Sequence, residues 1–264
     1  MSKSYKVLVV GGGAAGLATA ASLKKRDRSL EVAVVEPSDK HYYQPGWTMV
    51  GAGVFTKEDT IKDTDSIWPS DVIRIKDEVI KFDPKNNKVT LGNKTEVGYE
   101  MLVVASGLKL DWEAIEGLSE SLGENGVTSN YRYDLAPYTW ELVQEMNGKN
   151  AIFTQPPMPI KCAGAPQKAM YLSCDHWQKS GQLEGMNVSF CNAGPVLFGC
   201  ATYVPPLMKY VEKYGINLDF GHNLSRIDGP SKKAWFSVKK EGEDAKTIER
   251  SFDMIHVCPP QRAP

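Results

Sequence analysis

The run of glycines that opens this chain restricts its folding more than any other stretch. Gly11-x-Gly13-x-x-Gly16 directly follows a strand over residues 6–10 and opens a segment that reads as a helix over about 14–26. A second strand over 31–35 comes next, and Glu36 stands at its end. Strand, tight turn, helix and second strand form a βαβ unit, and such units imply a parallel sheet with crossover helices. Each part has a mechanical reason. Gly11 permits the tight turn, Gly13 lets the backbone approach a pyrophosphate, and Gly16 lets the helix pack close to the strand. Ala14 and Ala15 sit where free N–H groups at the helix start favour phosphate. Glu36 accepts hydrogen bonds from a ribose and repels a 2′-phosphate, which favours FAD or NAD over NADP. The turn alone does not choose between FAD and NAD.

Further along, residues 71–82 read as a strand and 88–91 as its hairpin partner, with turn chemistry in 83–87. Residues 101–105 form a short apolar run stopped by Ser106-Gly107, which suits a buried parallel strand ending where backbone passes close to something. A second βα pattern starts near residue 150: strand 151–154, a Pro-rich loop, helix 166–179, strand 186–191, helix 202–214 and strand 216–220. Residues 235–239 and 252–257 are further strands. The fold class is therefore α/β, with two Rossmann-like FAD/NAD(P)-binding domains of three-layer ββα type, divided near 147–150 into 1–149 and 150–264.

The remaining composition works by exclusion. With 31 Lys+Arg against 32 Asp+Glu, a net charge of -1 gives no general field for nucleic acid or anionic lipid. Five widely spaced cysteines in 264 residues suggest free thiols in a reducing compartment. No Cys-x-x-Cys pair or Cys/His cluster suggests a metal site. Residues 7–23 carry no charge and approach the length of a short membrane span, but their β-branched residues all precede the glycines, which fits strand, turn and helix better. The first strand leaves no room for a leader peptide, and the chain as it stands reads as soluble and cytoplasmic.

Three segments carry a family resemblance. EPSDKHYYQPGWTMVGAG (36–53), LVVASGLKLDW (102–112) and above all PIKCAGAPQKAMYLS (159–173) resemble sulfide:quinone oxidoreductases, in the group that includes the mitochondrial enzymes and their bacterial relatives. The likeness runs over essentially the whole chain. It implies a flavoprotein that oxidises hydrogen sulfide at redox cysteines, passes electrons through FAD and reduces a membrane quinone, with a sulfane-sulfur acceptor as a further partner. It also implies attachment to a membrane surface, the cytoplasmic face of a bacterial inner membrane or the mitochondrial inner membrane, and leaves a homo-oligomer open. Carried onto this chain, the resemblance implies FAD contacts at Gly11, Gly13, Ala14, Ala15 and Gly16, the ribose at Glu36, and cofactor passage at Ser106 and Gly107. Gln44 in the FAD-contacting loop and Val79 offering backbone to the adenine rest on the resemblance alone.

Cys162 is the cysteine expected to react. It lies between a strand and a helix, with Lys161 beside it and Lys168 in the same helix start. Cations and a helix N-terminus favour a thiolate, which can attack a persulfide or carry a sulfane sulfur itself. In the family, the cysteine at this position forms the persulfide. Cys174, Cys191, Cys200 and Cys258 read as structural fillers, His41 reads equally as a flavin-side residue or a solvated loop histidine, and His176, His222 and His256 show no ligand pattern. The place where a second glycine fingerprint would bind NADH reads TQPPMPIKCAGAPQK (154–168). Prolines there lack the N–H that would face a phosphate. Two other readings stay open: a type II NADH:quinone oxidoreductase-like enzyme, and a truncated, non-catalytic FAD- or sulfane-sulfur-binding protein. The family's enzymes are longer, so the first domain is expected to be incomplete at its C-terminal return.

Overall fold

A computed structural model describes residues 3–239 and 244–264. The chain divides into two compact units: Met1–Tyr43 with Ile61–Leu108 and Ala263–Pro264, and Gln44–Thr60 with Lys109–Arg262. The expected division at 147–150 falls inside the second unit. The strand Val127–Thr128 pairs there with Met254–His256, which ties the segment before residue 150 into the second sheet.

The first unit contains β1 (Lys3–Val10), β2 (Val32–Val35), β3 (Lys40–Tyr42), β4 (Ile61–Asp63), β5 (Ile73–Ile75), β6 (Val79–Asp83), β7 (Lys88–Leu91) and β8 (Glu96–Val104). Six of them make one sheet in the order β5-β2-β1-β8-β7-β6. The pairs β5–β2, β2–β1 and β1–β8 are parallel, while β8–β7 and β7–β6 are antiparallel. β3 and β4 form a separate two-stranded ribbon. Alternation along β1 and β2 sorts the core. Leu8, Ala33 and Val35 join Tyr5, Val89, Val97 and Tyr99 in one cluster, whereas Val7, Val9, Val32 and Val34 join Ala20 and Leu23 of helix Ala14–Arg26 in another. The helix matches its expected bounds and ends on Lys24, Lys25 and Arg26, cations that suit a helix C-terminus.

One expectation needs correction. Residues 71–82 are two strands: β5 joins β2 in parallel, and β6 forms the expected hairpin with β7. The break falls at Lys76-Asp77-Glu78, where the Asp77 N–H donates to the Ile75 carbonyl at 2.9 Å and closes a local turn, and the Asp77 carboxylate accepts the Glu78 N–H.

In the second unit, β9 (Lys109–Leu110), β10 (Val127–Thr128), β11 (Asn150–Gln155), β12 (Asn187–Asn192), β13 (Asn217–Phe220), β14 (His222–Asp228), β15 (Lys233–Val238), β16 (Lys246–Ser251), β17 (Met254–His256) and β18 (Gln261–Arg262) follow in chain order. Five make a wholly parallel sheet, β10-β17-β11-β12-β13. One face packs against the helices Ala136–Glu145, Gly164–Ser180 and Val204–Tyr214 through Phe153, Met170, Trp177 and Phe190. The other packs against the antiparallel β14-β15-β16 through Ile152, Leu224, Phe236 and Ile255. Helices, parallel sheet and antiparallel sheet are the three layers expected of a ββα nucleotide fold.

Candidate functional site

β1 ends in a backbone that only glycine tolerates. Gly11 has φ +96°, and a Cβ there would lie 2.5 Å from the Ala105 carbonyl oxygen. The Gly11 N–H donates to the Val35 carbonyl at 2.9 Å, and the Ala105 N–H donates to Val10 at 2.8 Å, so the ends of β1, β2 and β8 are fixed together. A Cβ on Gly16 would stand 1.8 Å from the Gly11 carbonyl oxygen, which is the close helix-to-strand packing expected of that position. A Cβ on Gly13 would meet nothing within 4 Å. Its bareness does no packing, and it leaves open the space through which a pyrophosphate would approach. No described acceptor takes the N–H groups of Gly13, Ala14 or Ala15, at the start of the helix.

Glu36 is held beside this turn. Its carboxylate accepts the Gly12 N–H and the Ser38 N–H, each at 2.7 Å, leaving lone pairs for two ribose hydroxyls. Gly12, which the fingerprint treats as a variable position, proves necessary. A Cβ there would lie 2.7 Å from the Glu36 Cβ. The unbroken run of three glycines was the only sign of this in the sequence.

Ser106 and Gly107 follow β8 and are exposed, with Gly107 at φ +73°. The turn, Glu36 and Ser106–Gly107 are therefore gathered at one end of the sheet. Val79 opens β6 at the sheet edge, with β7 and β8 between it and β1. Gln44 is exposed at the start of the short helix Gln44–Gly46, in the second unit. In the same segment Trp47 is buried against Val50, Ala136 and Tyr133, so that part of the aromatic loop is packing.

Cys162 is exposed and lies two residues before helix Gly164–Ser180, with φ +63°, a left-handed conformation unusual for a side-chain-bearing residue. Beneath it is a group of residues that sequence reasoning did not bring together. The Tyr131 hydroxyl donates to the Lys161 and Cys162 carbonyls at 3.2 and 3.3 Å, and the Gln261 side chain accepts the Lys161 N–H. Gln261 also donates to the Cys258 sulfur at 3.9 Å. Burial pushes the Cys258 thiol up to about 12, and burial likewise raises the Tyr131 hydroxyl, so both stay protonated. Lys161 moves the other way: burial lowers its ammonium, and a thiolate at Cys162 pushes it back up.

Of the cysteines expected to be fillers, Cys200 departs from that reading, while Cys258 is buried as a filler would be. Cys200 is exposed before the short helix Ala201–Tyr203, and Cys258 is bonded into the Tyr131–Gln261 group. Cys174 and Cys191 are buried in the two cores of the second unit. Among the described residues, no His, Cys, Asp and Glu cluster has the grouping of a metal site. At the end of β11, Gln155 bonds to the Asn192 side chain and accepts the Ala193 N–H. Pro156, Pro157 and Pro159 follow, with no N–H groups to offer a phosphate.

The fold and the glycine turn define a class, and the comparisons agree. The chain belongs to the pyridine nucleotide-disulphide oxidoreductase family, whose description matches residues 5–140. The observed turn and Glu36 fit a dinucleotide such as FAD. Among curated proteins, the chain is similar to the mitochondrial sulfide:quinone oxidoreductase of Dictyostelium discoideum, 41% identical over 97% of this chain and 56% of that protein. It is similarly related to the mitochondrial sulfide:quinone oxidoreductase of Mus musculus, at 37% over 98% of this chain and 57% of that one. The chain thus spans a little over half the length of these relatives. The crystal structure of the sulfide:quinone oxidoreductase from Aquifex aeolicus superposes with a TM-score of 0.80 at 20% identity, covering 100% of this chain and 60% of that one, a likeness of fold.

Proposed function

We propose that this chain is the FAD- and sulfur-handling part of a sulfide:quinone oxidoreductase. One observation carries the reading. The likeness to sulfide:quinone oxidoreductases covers 97% and 98% of the chain, whereas that to a type II NADH:quinone oxidoreductase of Staphylococcus saprophyticus covers 44%. The proline-rich end of β11 supports the same choice, because it offers no phosphate cradle to NADH.

In this reading Gly11, Gly12, Gly13 and Gly16 let the backbone close on the cofactor's pyrophosphate, and Glu36 holds its ribose. Ser106 and Gly107 line its passage, with Gln44 and Val79 as further contacts. Cys162 does the sulfur chemistry. Its thiolate and a hydrosulfide ion join in an S–S bond, giving a persulfide and releasing two electrons. FAD, when bound, supplies the two-electron acceptor, and a quinone is the final oxidant. A nucleophilic acceptor then takes the outer sulfur and returns Cys162 to a thiolate. The quinone places this chemistry at a membrane surface, although no helix among the described residues is long and apolar enough to cross a membrane. Association with a second copy is compatible with this scheme.

The reading predicts which reductant the flavin accepts. Under anaerobic conditions, sulfide added to the FAD-loaded chain bleaches the flavin absorbance, a quinone analogue restores it, and NADH leaves it unchanged. Bleaching by NADH with no response to sulfide would contradict the proposal.

A further inference from the structure

We infer that Tyr131 and Gln261 are positioning residues for Cys162, holding its loop in the left-handed conformation from which the thiol reacts. The inference rests on the reading of Cys162 as the sulfur-carrying thiol.

A cysteine at φ +63° is disfavoured by its own Cβ and persists where its surroundings fix it. Three bonds fix this one from below. The Tyr131 hydroxyl takes the carbonyls of Lys161 and Cys162, and Gln261 takes the Lys161 N–H. Tyr131 is itself anchored, since its N–H donates to the Ser129 hydroxyl at 3.1 Å, and that hydroxyl donates to the Val257 carbonyl at 2.6 Å. Gln261 lies in β18, paired with β9. The loop is therefore tied to the ends of two pairs of strands.

The arrangement has a chemical consequence. The Cys162 carbonyl also accepts the Ala165 N–H at 2.9 Å, and no described acceptor takes the N–H groups of Cys162, Ala163 or Gly164. Ala163 has ordinary right-handed angles, so a left-handed residue is followed by a right-handed one directly before a helix of 17 residues. Such backbone favours negative charge on a nearby sulfur. Tyr131 remains a donor because burial keeps its hydroxyl protonated. The charged and titratable groups around it are the Cys162 and Cys258 thiols. Freed from Tyr131, the loop relaxes toward negative φ and this environment is lost.

The experiment uses the full chain with iodoacetamide as the probe, reading each cysteine by peptide mass spectrometry. Cys200, also exposed, is the internal reference. Tyr131→Phe and Gln261→Leu are expected to lower the Cys162 rate relative to Cys200 by roughly fivefold each, the effect of losing one hydrogen bond, since the single Tyr131 hydroxyl proton is shared between its two carbonyls. Gln261→Glu keeps an acceptor for the Lys161 N–H and restores the ratio. An unchanged ratio in Tyr131→Phe overturns the inference. Should Tyr131→Phe label the buried Cys174, Cys191 and Cys258 and so prove unfolded, the Gln261 pair decides, and equal rates in Leu and Glu variants overturn it. A protein inert to sulfide that still shows the predicted ratios refutes the functional reading alone. One that responds to sulfide with unchanged ratios refutes the positioning alone.

Discussion

Gly16→Ala is expected to strip the chain of FAD by disturbing the turn itself. The new Cβ would lie 1.8 Å from the Gly11 carbonyl oxygen and 3.0 Å from its carbon, both backbone atoms. Gly11 has nowhere to go, because its own α-carbon already faces the Ala105 carbonyl with room for hydrogen only. Forcing a methyl into packed backbone costs about 1–3 kcal/mol, which corresponds to roughly 5- to 150-fold in FAD affinity if the whole cost falls on binding. Because the clash exists without the cofactor, the thermal midpoint of the FAD-free protein falls as well. Gly13→Ala provides the contrast. Its Cβ meets nothing within 4 Å and its φ of -70° suits alanine, so the FAD-free protein keeps its midpoint. The methyl then occupies the pyrophosphate approach, and affinity alone falls. Thermal unfolding without FAD, paired with fluorescence titration of FAD, separates the two. Equal midpoints and equal affinities for both variants and the parent would contradict the turn's assignment.

A second large effect is expected from acid. His256 is wholly buried, its Nε2 accepts the Asn130 N–H at 2.9 Å, and its ring stacks near Phe153. Burial lowers its pKa from 6.5 to about 4. Above pH 6.5 the imidazole is neutral in both folded and unfolded chains, and it adds no pH dependence. As pH falls from 6.5 to 4, the unfolded chain takes up a proton that the folded chain refuses. Stability therefore falls with pH, by roughly 3 kcal/mol across the window. Other groups add to the acid response: the Asp39 carboxyl, for example, is held down by its hydrogen bond from Lys76. Denaturant unfolding of the parent and His256→Gln over this range isolates the histidine. The parent should lose about 3 kcal/mol more than the variant; parallel curves would show that His256 titrates normally.

Much of the first half of the site was legible because its constraints are local. Gly11, Gly13, Gly16 and Glu36 lie along one βαβ unit, where spacing alone implies geometry. Helix Ala14–Arg26 was readable for the same reason, since glycines and a cluster of cations mark its two ends. The strand over 71–82 misled because apolar residues continue at Val79, Ile80 and Phe82 after the turn at Asp77. β16 escaped notice because its sequence, Lys-Thr-Ile-Glu-Arg-Ser, is polar, as an edge strand's can be, and exposes most of its side chains. The two-residue ladder of β9 with β18 is too short to leave any periodic pattern. That ladder carries Gln261, and Ser129 carries Tyr131, so the support beneath Cys162 comes from residues remote in sequence. Lys161 and Lys168 stood out beside the cysteine, while the groups that bind its loop are an uncharged tyrosine and glutamine.

The central claim is that Cys162 carries the sulfur that sulfide donates. Peptide mass spectrometry tests it most directly, on the FAD-loaded parent and Cys162→Ser after brief anaerobic exposure to sulfide, with flavin absorbance followed in the same samples. The account predicts one added sulfur atom on the Cys162 peptide of the parent, formed as the flavin bleaches. In Cys162→Ser it predicts neither sulfur addition at that peptide nor bleaching. Bleaching that proceeds equally in Cys162→Ser, or added sulfur found on another cysteine of the parent, would contradict it.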